Sequence, residues 1–372
     1  DHLAIDRTMR MLRFEDARGR PIGSINWFGV HGTSVHSDNT AIHFDNKGYA
    51  AQILEQELAS AGQGSVAAFA QGSTGDVTPN HWRHPGRPFV RGKHADDDAS
   101  ARHNGGLQAE LARALIERAA GAPAQPLRLA HAHAFVDFAA VDVDARFVGG
   151  REGLRTGPAE IGMAMFFGTE EGPGLPRGLK FLQRFAKRGD AVQGEKVTWV
   201  ESGRRRMLGF AKLRRLPVPP LLRGRLARAL QLVRALDRND PSAPPWTPNV
   251  LPVQIFVLGS VAIAAVPGEF TTVAGRRVRA TVAHVLAPMG VKHVVLSGYS
   301  NAYAGYVTTP EEYELQDYEG ASTHFGKWTL PAWLTEFDRL GRRMLGREVT
   351  PRVEPRPPVF SAAELATRSF QR

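Results

Sequence analysis

Apolar and polar positions alternate along this chain in blocks whose period changes. Ile22 to Val30 is an apolar run bounded by Pro21 and Gly32, which predicts a buried strand with a loop, His31-Gly-Thr-Ser34, at its end. Asp45-Asn-Lys-Gly48 precedes Tyr49 to Ala61, where apolar residues recur at three- and four-residue steps and predict a helix. Val66 to Ala70 reads as a short strand closed by the turn-rich segment Gln71 to Asn80. Gly106 to Ala120 predicts a second amphipathic helix, stopped by Gly121 and Pro123, and Leu127 to Val143 alternates as a strand or hairpin. Farther on, Val253 to Val266 predicts a long apolar strand region, Thr271 to Leu286 a helix and Val291 to Leu296 a strand. Asn301 to Tyr318 reads as a loop rich in tyrosine and acids. Strand–loop–helix alternation of this kind predicts an α/β fold, a layered domain built on mixed sheets.

Between 150 and 245 the pattern breaks down. Glycine, proline and arginine dominate, and the segment reads as an irregular basic insert. Arg204 to Arg215 and Leu221 to Leu236 predict basic helices separated by Pro217-Val-Pro-Pro220. Domain organisation follows from these breaks: 1–349 as one domain carrying the insert, then 350–372 as an extended linker and the start of a further domain.

Composition changes the picture in three respects. The 372 residues are 42% hydrophobic and 23% charged, which suits a globular core and excludes wholesale disorder. Cysteine is absent, so disulfides, thiol nucleophiles and zinc–thiolate sites are excluded, and any metal must be held by His, Asp, Glu or Tyr. The net charge is +10, and from Gly203 to Arg238 there are eleven Lys/Arg against one acid, Asp237. That segment suits a solvated insert or, with its leucines and arginines on one helix, contact with an anionic membrane surface. Phe210 is its one aromatic residue, so no nucleic-acid partner is expected.

Three strands end in polar loops: His31 to Ser34, Gly75-Asp-Val-Thr-Pro-Asn80, and Pro267-Gly-Glu-Phe-Thr271. Ligands collect outside the carboxyl ends of strands in open α/β sheets. A His, an Asp, a Glu and hydroxyls meeting there could bind a cation and polarise a carbonyl. Each loop alone equally suits a hydrogen-bonded structural residue. His36 and His43 read as solvent-exposed loop histidines, and His81, His84 and His94 fall in a loop rich in Arg and Asp. Asp96-Asp-Asp98 reads as a solvated acidic turn, and His131-Ala-His133 as a surface or cross-strand pair.

Five ordered stretches carry a more specific signal. They are Asn26-Trp-Phe-Gly-Val-His-Gly-Thr-Ser34 with Asp45-Asn-Lys-Gly-Tyr-Ala50; Phe69-Ala-Gln71 with Gly75 to Asn80; and Trp246-Thr-Pro248 with Leu251-Pro-Val-Gln-Ile255. The others are Val266-Pro-Gly-Glu-Phe-Thr-Thr-Val-Ala-Gly-Arg-Arg277, and Gly298 to Tyr313 running on through Tyr318-Glu-Gly-Ala-Ser-Thr323. Together they resemble the neutral ceramidase family, well over 6–80 and 245–330 and thinly over 85–240. The resemblance implies a catalytic domain that uses one zinc ion to hydrolyse the amide of ceramide, or a related N-acyl lipid, to sphingosine and a fatty acid. It implies His31, Glu269 and Tyr306 as zinc ligands, Tyr318 as a partner of the reacting oxygen, Thr78 where the family carries its catalytic serine, and Asp76 orienting that loop. It also implies a secreted, periplasmic or membrane-associated location.

Two departures accompany the resemblance. The family's Ser-His-x-His stretch, whose first histidine completes the zinc site, has no counterpart here, so a fourth ligand is expected upstream of residue 1 and the catalytic domain is expected to lack its amino-terminal part. Thr78 replaces serine; its hydroxyl survives, but its methyl stiffens the side chain. The alternatives are a relative that binds lipid or membrane surfaces without catalysis, and an amidase for another N-acyl substrate.

Overall fold

The computed structural model describes residues 4–60, 62, 64–120, 127–176, 178, 180, 181, 183, 186–207, 244–347, 349 and 353–368. The basic segment 203–238 falls outside these beyond residue 207: the helix predicted at 221–236 and the membrane face lie outside the described residues, while the start of the helix predicted at 204–215 is corrected to a turn leading into the strand Arg206–Met207.

The amino-terminal unit contains β1 (Arg10–Glu15), β2 (Pro21–Trp27), α1 (Asp45–Ser60), β3 (Val66–Ala70) and α2 (Asp97–Ala119). β2 pairs antiparallel with β1 and parallel with β3. The predicted strand is shorter at its far end than its apolar run, because Phe28 to Val30 leave the sheet to build a loop. α2 begins nine residues before Gly106, which corrects both the predicted boundary and the reading of 96–98 as a solvated turn. Asp96 caps the helix by accepting from Ala99 N–H at 2.8 Å. Asp97 and Asp98 occupy the first turn, where negative charge complements the helix dipole.

A long strand, β4 (Leu129–Asp137), follows as a single strand, with His131 and His133 exposed on it. The region read as an irregular basic insert then contains β5 (Ile161–Gly162), α3 (Met163–Phe166), β6 (Lys187–Arg188), β7 (Val197–Glu201) and β8 (Arg206–Met207), a small antiparallel sheet centred on β7. That corrects the expectation: short strands set in glycine-rich loops leave little periodic signal.

The carboxyl-terminal unit contains β9 (Val250–Leu258), β10 (Val261–Ala265), β11 (Glu269–Phe270), α4 (Thr272–Leu286), β12 (His293–Ser297), β13 (Tyr306–Val307), α5 (Pro310–Leu315), α6 (Tyr318–Ala321) and α7 (Thr329–Met344). The long apolar run at 253–266 is a hairpin rather than one strand, since Gly259 adopts φ 58° and turns the chain. β10 pairs parallel with β12 and antiparallel with β9, which pairs antiparallel with β4, giving the order β12-β10-β9-β4. The predicted loop 301–318 holds β13 and α5 instead. α5 starts at a full capping box: Thr309 accepts from Glu312 N–H, and Glu312 accepts from Thr309 N–H.

The main core packs α4 and α7 against this sheet. Trp333 stacks on Phe138 at 4.1 Å between centroids and meets Phe270 edge-on at 5.7 Å. Past an extended stretch at 353–360, α8 (Ala362–Arg368) docks back onto the fold, where Glu364 pairs with the buried Arg205.

The parallel pairs β2–β3 and β10–β12 bring four strand ends to one edge of the molecule. There Gly298 N–H donates to Gln71 O at 3.1 Å and links the two sheets. The loops leaving these ends build the site.

Candidate active site

The His31 loop is shaped by the residues that open α1. Asp45 accepts from Ser34 N–H at 3.3 Å and Val35 N–H at 2.8 Å. Asn46 donates to His31 O at 2.8 Å, and Lys47 Nζ donates to Phe28 O at 2.6 Å. Three consecutive side chains therefore satisfy backbone groups that the loop would otherwise bury unpaired. Gly29 must lack a side chain, since a Cβ there would lie 2.2 Å from Ser73 O.

The Gly75–Asn80 loop is tied to the other half of the protein. Gly75 N–H donates to Phe270 O at 2.9 Å, and a Cβ on Gly75 would lie 2.8 Å from Glu269 O. Asp76 Oδ1 accepts from the backbone N–H of Thr272 at 2.7 Å and from its hydroxyl at 2.9 Å, pinning the loop to the first turn of α4. Burial raises the Asp76 carboxyl above its ordinary range, and these two bonds work against that rise. Thr78 is exposed to the cleft, and its Oγ1 accepts from Asn80 N–H at 2.9 Å.

β11 and β13 run parallel, with Glu269 directly opposite Tyr306. This short pair carries both side chains to His31. His31 Nε2 lies 2.6 Å from Glu269 Oε2 and 3.3 Å from the Tyr306 hydroxyl, while its Nδ1 faces Val77 O at 3.0 Å. Both ring nitrogens thus face acceptors. Burial pulls the ring toward neutrality, but the Glu269 carboxylate and the Val77 carbonyl outweigh it and raise the pKa. For Glu269, burial opposes ionisation, while His31 and Tyr303 prevail and lower it. Tyr303 donates to the other carboxylate oxygen of Glu269. Tyr318 meets Tyr306 edge-on at 5.7 Å. Tyr299 and Asn301, in the turn before β13, adopt φ of 53° and 63°, a left-handed conformation that non-glycine residues enter at a cost.

His31, Asp76, Thr78, Tyr306 and Tyr318 line one cleft of about 550 Å³, with Glu269 directly behind His31. All six residues singled out in the sequence are therefore brought to one place. Their donor set can be tested against a cation. With Nδ1 committed to a backbone carbonyl, His31 can present Nε2, and Glu269 and Tyr306 add two oxygens. One nitrogen and two oxygens suit a borderline or hard divalent ion. Among the described residues, no three His, Asp or Glu side chains form a metal-holding group, so a cation here depends on the phenol as third donor.

Several residues escaped the sequence reading. Glu171, from the loop after α3, reaches the cleft and accepts from Thr33 and Asn80. Asp45 and Tyr303 position His31 and Glu269. His36 is corrected: its side chain is only 7% exposed, lies against Asp97 and Arg91, and holds Val90 O at 3.1 Å. His43 stacks on Phe44 and lies 3.1 Å from Asp98. Among the described residues, no helix is long and apolar enough to cross a membrane.

A model of the neutral/alkaline non-lysosomal ceramidase amino-terminal region matches residues 2–202 and 230–335. The stretch between these two matched segments, 203–229, falls within the basic segment. The chain is 36% identical over 334 residues to neutral ceramidase of Pseudomonas aeruginosa, covering 88% of this chain and 44% of that protein. It is 33% identical over 375 residues to neutral ceramidase B of Dictyostelium discoideum, covering 93% and 49%. Among solved structures, a ceramidase complexed with C2 matches with a TM-score of 0.73 and 32% identity, over 95% of this chain and 50% of that one. The neutral ceramidase of Pseudomonas aeruginosa matches with a TM-score of 0.68 and 30% identity, over 95% and 49%. The chain spans about half the length of these relatives, and on the family match it belongs to the neutral/alkaline non-lysosomal ceramidase family.

Proposed function

We propose that this protein hydrolyses the amide bond of ceramide or a closely related N-acyl lipid, with a zinc ion held by His31, Glu269 and Tyr306. The observation that carries the reading is the meeting of an imidazole, a carboxylate and a phenol beside a hydroxyl side chain in one cleft, in a chain of this family. When bound, zinc would supply Lewis-acid polarisation of a poorly electrophilic amide carbonyl.

The protein's own groups supply the rest. Val77 O fixes the His31 ring, and Tyr303 fixes the Glu269 carboxylate. Burial and the nearby Glu269 charge raise the Tyr318 pKa, so its hydroxyl stays protonated and can donate to an oxyanion in the cleft. Thr78 Oγ1 accepts from Asn80, which leaves its own proton to give. Glu319, raised by burial and by the charges of Asp76 and Asp317, can hold a proton in the cleft wall.

The test combines metal analysis with turnover. The protein should retain stoichiometric zinc and release a long-chain amine from N-acylsphingosine; His31→Ala should lose the metal while keeping the fold. Shortening the acyl chain should slow the reaction by about fourfold per methylene, the equivalent of ~0.8 kcal/mol. Cleavage that persists without metal would overturn the zinc assignment, and intact zinc with no amide cleavage would overturn the activity. Thr78→Ser separates two roles: faster turnover assigns the hydroxyl as nucleophile, and unchanged turnover assigns it to positioning.

A further inference from the structure

The cleft is strongly one-signed. Asp76, Glu170, Glu171 and Glu319 line it, and among the described residues no lysine or arginine does, although the chain as a whole carries a net charge of +10. Three of these acids are accounted for. Asp76 gives its carboxylate to the first turn of α4. Glu170 is exposed and lies 3.6 Å from the Arg83 guanidinium. Glu319 is half-buried, and burial together with the charges of Asp76 and Asp317 raises its pKa.

Glu171 is held by the two loops that carry His31 and Thr78. It is half-buried, and its Oε2 accepts from the Thr33 hydroxyl at 3.0 Å and from Asn80 Nδ2 at 2.8 Å, both neutral donors. Among the described residues it has no salt-bridge partner. The loop that carries it is closed on itself. Glu171 N–H donates to Thr169 Oγ1 at 3.1 Å, Leu175 N–H donates to Phe166 O at 2.6 Å, and Val90 N–H donates to Glu170 O at 3.1 Å. The carboxylate is thus held in place before any ligand arrives. A carboxylate fixed by neutral donors in the cleft wall can take a charge-assisted hydrogen bond from a donor that the ligand brings.

We propose that Glu171 recognises the amine-bearing half of the substrate, accepting hydrogen bonds from the hydroxyls of an N-acyl amino alcohol and pairing with the ammonium group of the amine product. This rests on the amide-hydrolysis reading above. Water adds to the carbonyl carbon, the C–N bond breaks and the nitrogen takes a proton; at neutral pH the products are an ammonium and a carboxylate. The ammonium meets Glu171, and the carboxylate leaves a cleft of its own sign.

The test is equilibrium binding, which needs no turnover. Calorimetry on the purified protein would compare a short-chain, water-soluble 2-amino-1,3-diol with its N-acetyl derivative, in the wild type, Glu171→Gln and Glu171→Asp. Glu171→Gln should weaken the amine roughly tenfold or more, the size of one charge-assisted hydrogen bond, and weaken the N-acetyl form far less. Glu171→Asp, which keeps the charge, should restore most of the amine affinity and serves as the folded control. Equal weakening of both probes, unchanged amine affinity, or no amine binding by the wild type would each overturn the proposal. The hydrolysis reading fails separately, if the wild type cleaves no N-acyl substrate. Cleavage with unaltered amine affinity in Glu171→Gln would keep that reading and remove Glu171 from it.

Discussion

The two halves that meet at the cleft hold their site residues by different means. Among the described residues, the carboxyl-terminal core contains 32 buried apolar side chains and the amino-terminal core five, so apolar packing can position Glu269 but contributes much less around His31. Glu269 sits on a strand next to Phe270, which is packed against Trp333 in the larger core. His31 instead hangs from polar side chains: Asp45, Asn46 and Lys47 each hold a backbone group of its loop. The contrast teaches that one site can be rigid for two reasons, burial on one side and satisfied hydrogen bonding on the other. Damage should therefore spread differently from each side.

The largest expected effect is on the apolar side. Trp333→Ala should cost about 3–5 kcal/mol of global stability, seen by denaturant unfolding, because it empties a site filled by stacked rings. A loss under ~1 kcal/mol would show that the larger core is not what holds Phe270 and Glu269. The polar side should respond locally. Asn46 is fully buried and bonds His31 O, Ser34 Oγ and Gln108. Asn46→Ala should cost about 1–3 kcal/mol, with hydrogen exchange of the 29–35 amides rising more than exchange in α4 and α7. Uniform exchange across both halves would erase the distinction.

The smallest expected effect is in pH dependence. Lys47 in α1 is half-buried and Lys196 before β7 fully buried, and desolvation of the amine pushes each down to about 7 from 10.5. Each serves two acceptors, Phe28 O and Gln108 for Lys47, Glu160 O and Thr323 O for Lys196, and a neutral amine has two N–H bonds to give. The sign follows from proton counting. Between about 7 and 10.5 the unfolded chain binds more protons, so stability rises with pH across that window and the full desolvation cost is present below it. From pH 8 to 9, each lysine should add at most about 1.4 kcal/mol, and Lys47→Met or Lys196→Met should flatten the rise by about one proton. A slope unchanged in both variants would mean that these amines stay charged. At the acid end, His324 is buried and pushed down to about 3, so stability should fall as pH drops below 6.5.

Much of the frame was legible in the chain. The run at 66–70 is β3 to the residue, and 271–286 and 291–296 match α4 and β12 to within two residues, because apolar periodicity reports which face is buried. Periodicity failed where length or turn chemistry decided. A continuous apolar run at 253–266 concealed a hairpin, and the short strands at 161–207 fell below any detectable period. Tyr306 and Tyr318 were found through whole motifs rather than through chemistry: nothing local marks Tyr306 as different from Tyr313, which is fully buried and donates to Gln193 O. Glu171 was missed because its neighbours Thr33 and Asn80 are 138 and 91 residues away.

The sequence by itself determined the local elements, the absence of thiol chemistry and, through its motifs, the family and the residues to watch. Only the tertiary structure decided that these residues share one cleft. His31 and Glu269 lie 238 positions apart in the chain, and their side chains meet at 2.6 Å. Backbone preferences act over a few residues, whereas that distance is set by how the parallel pairs β2–β3 and β10–β12 align their ends. The same alignment, together with the loop after α3, decided that a basic protein would present an acidic pocket.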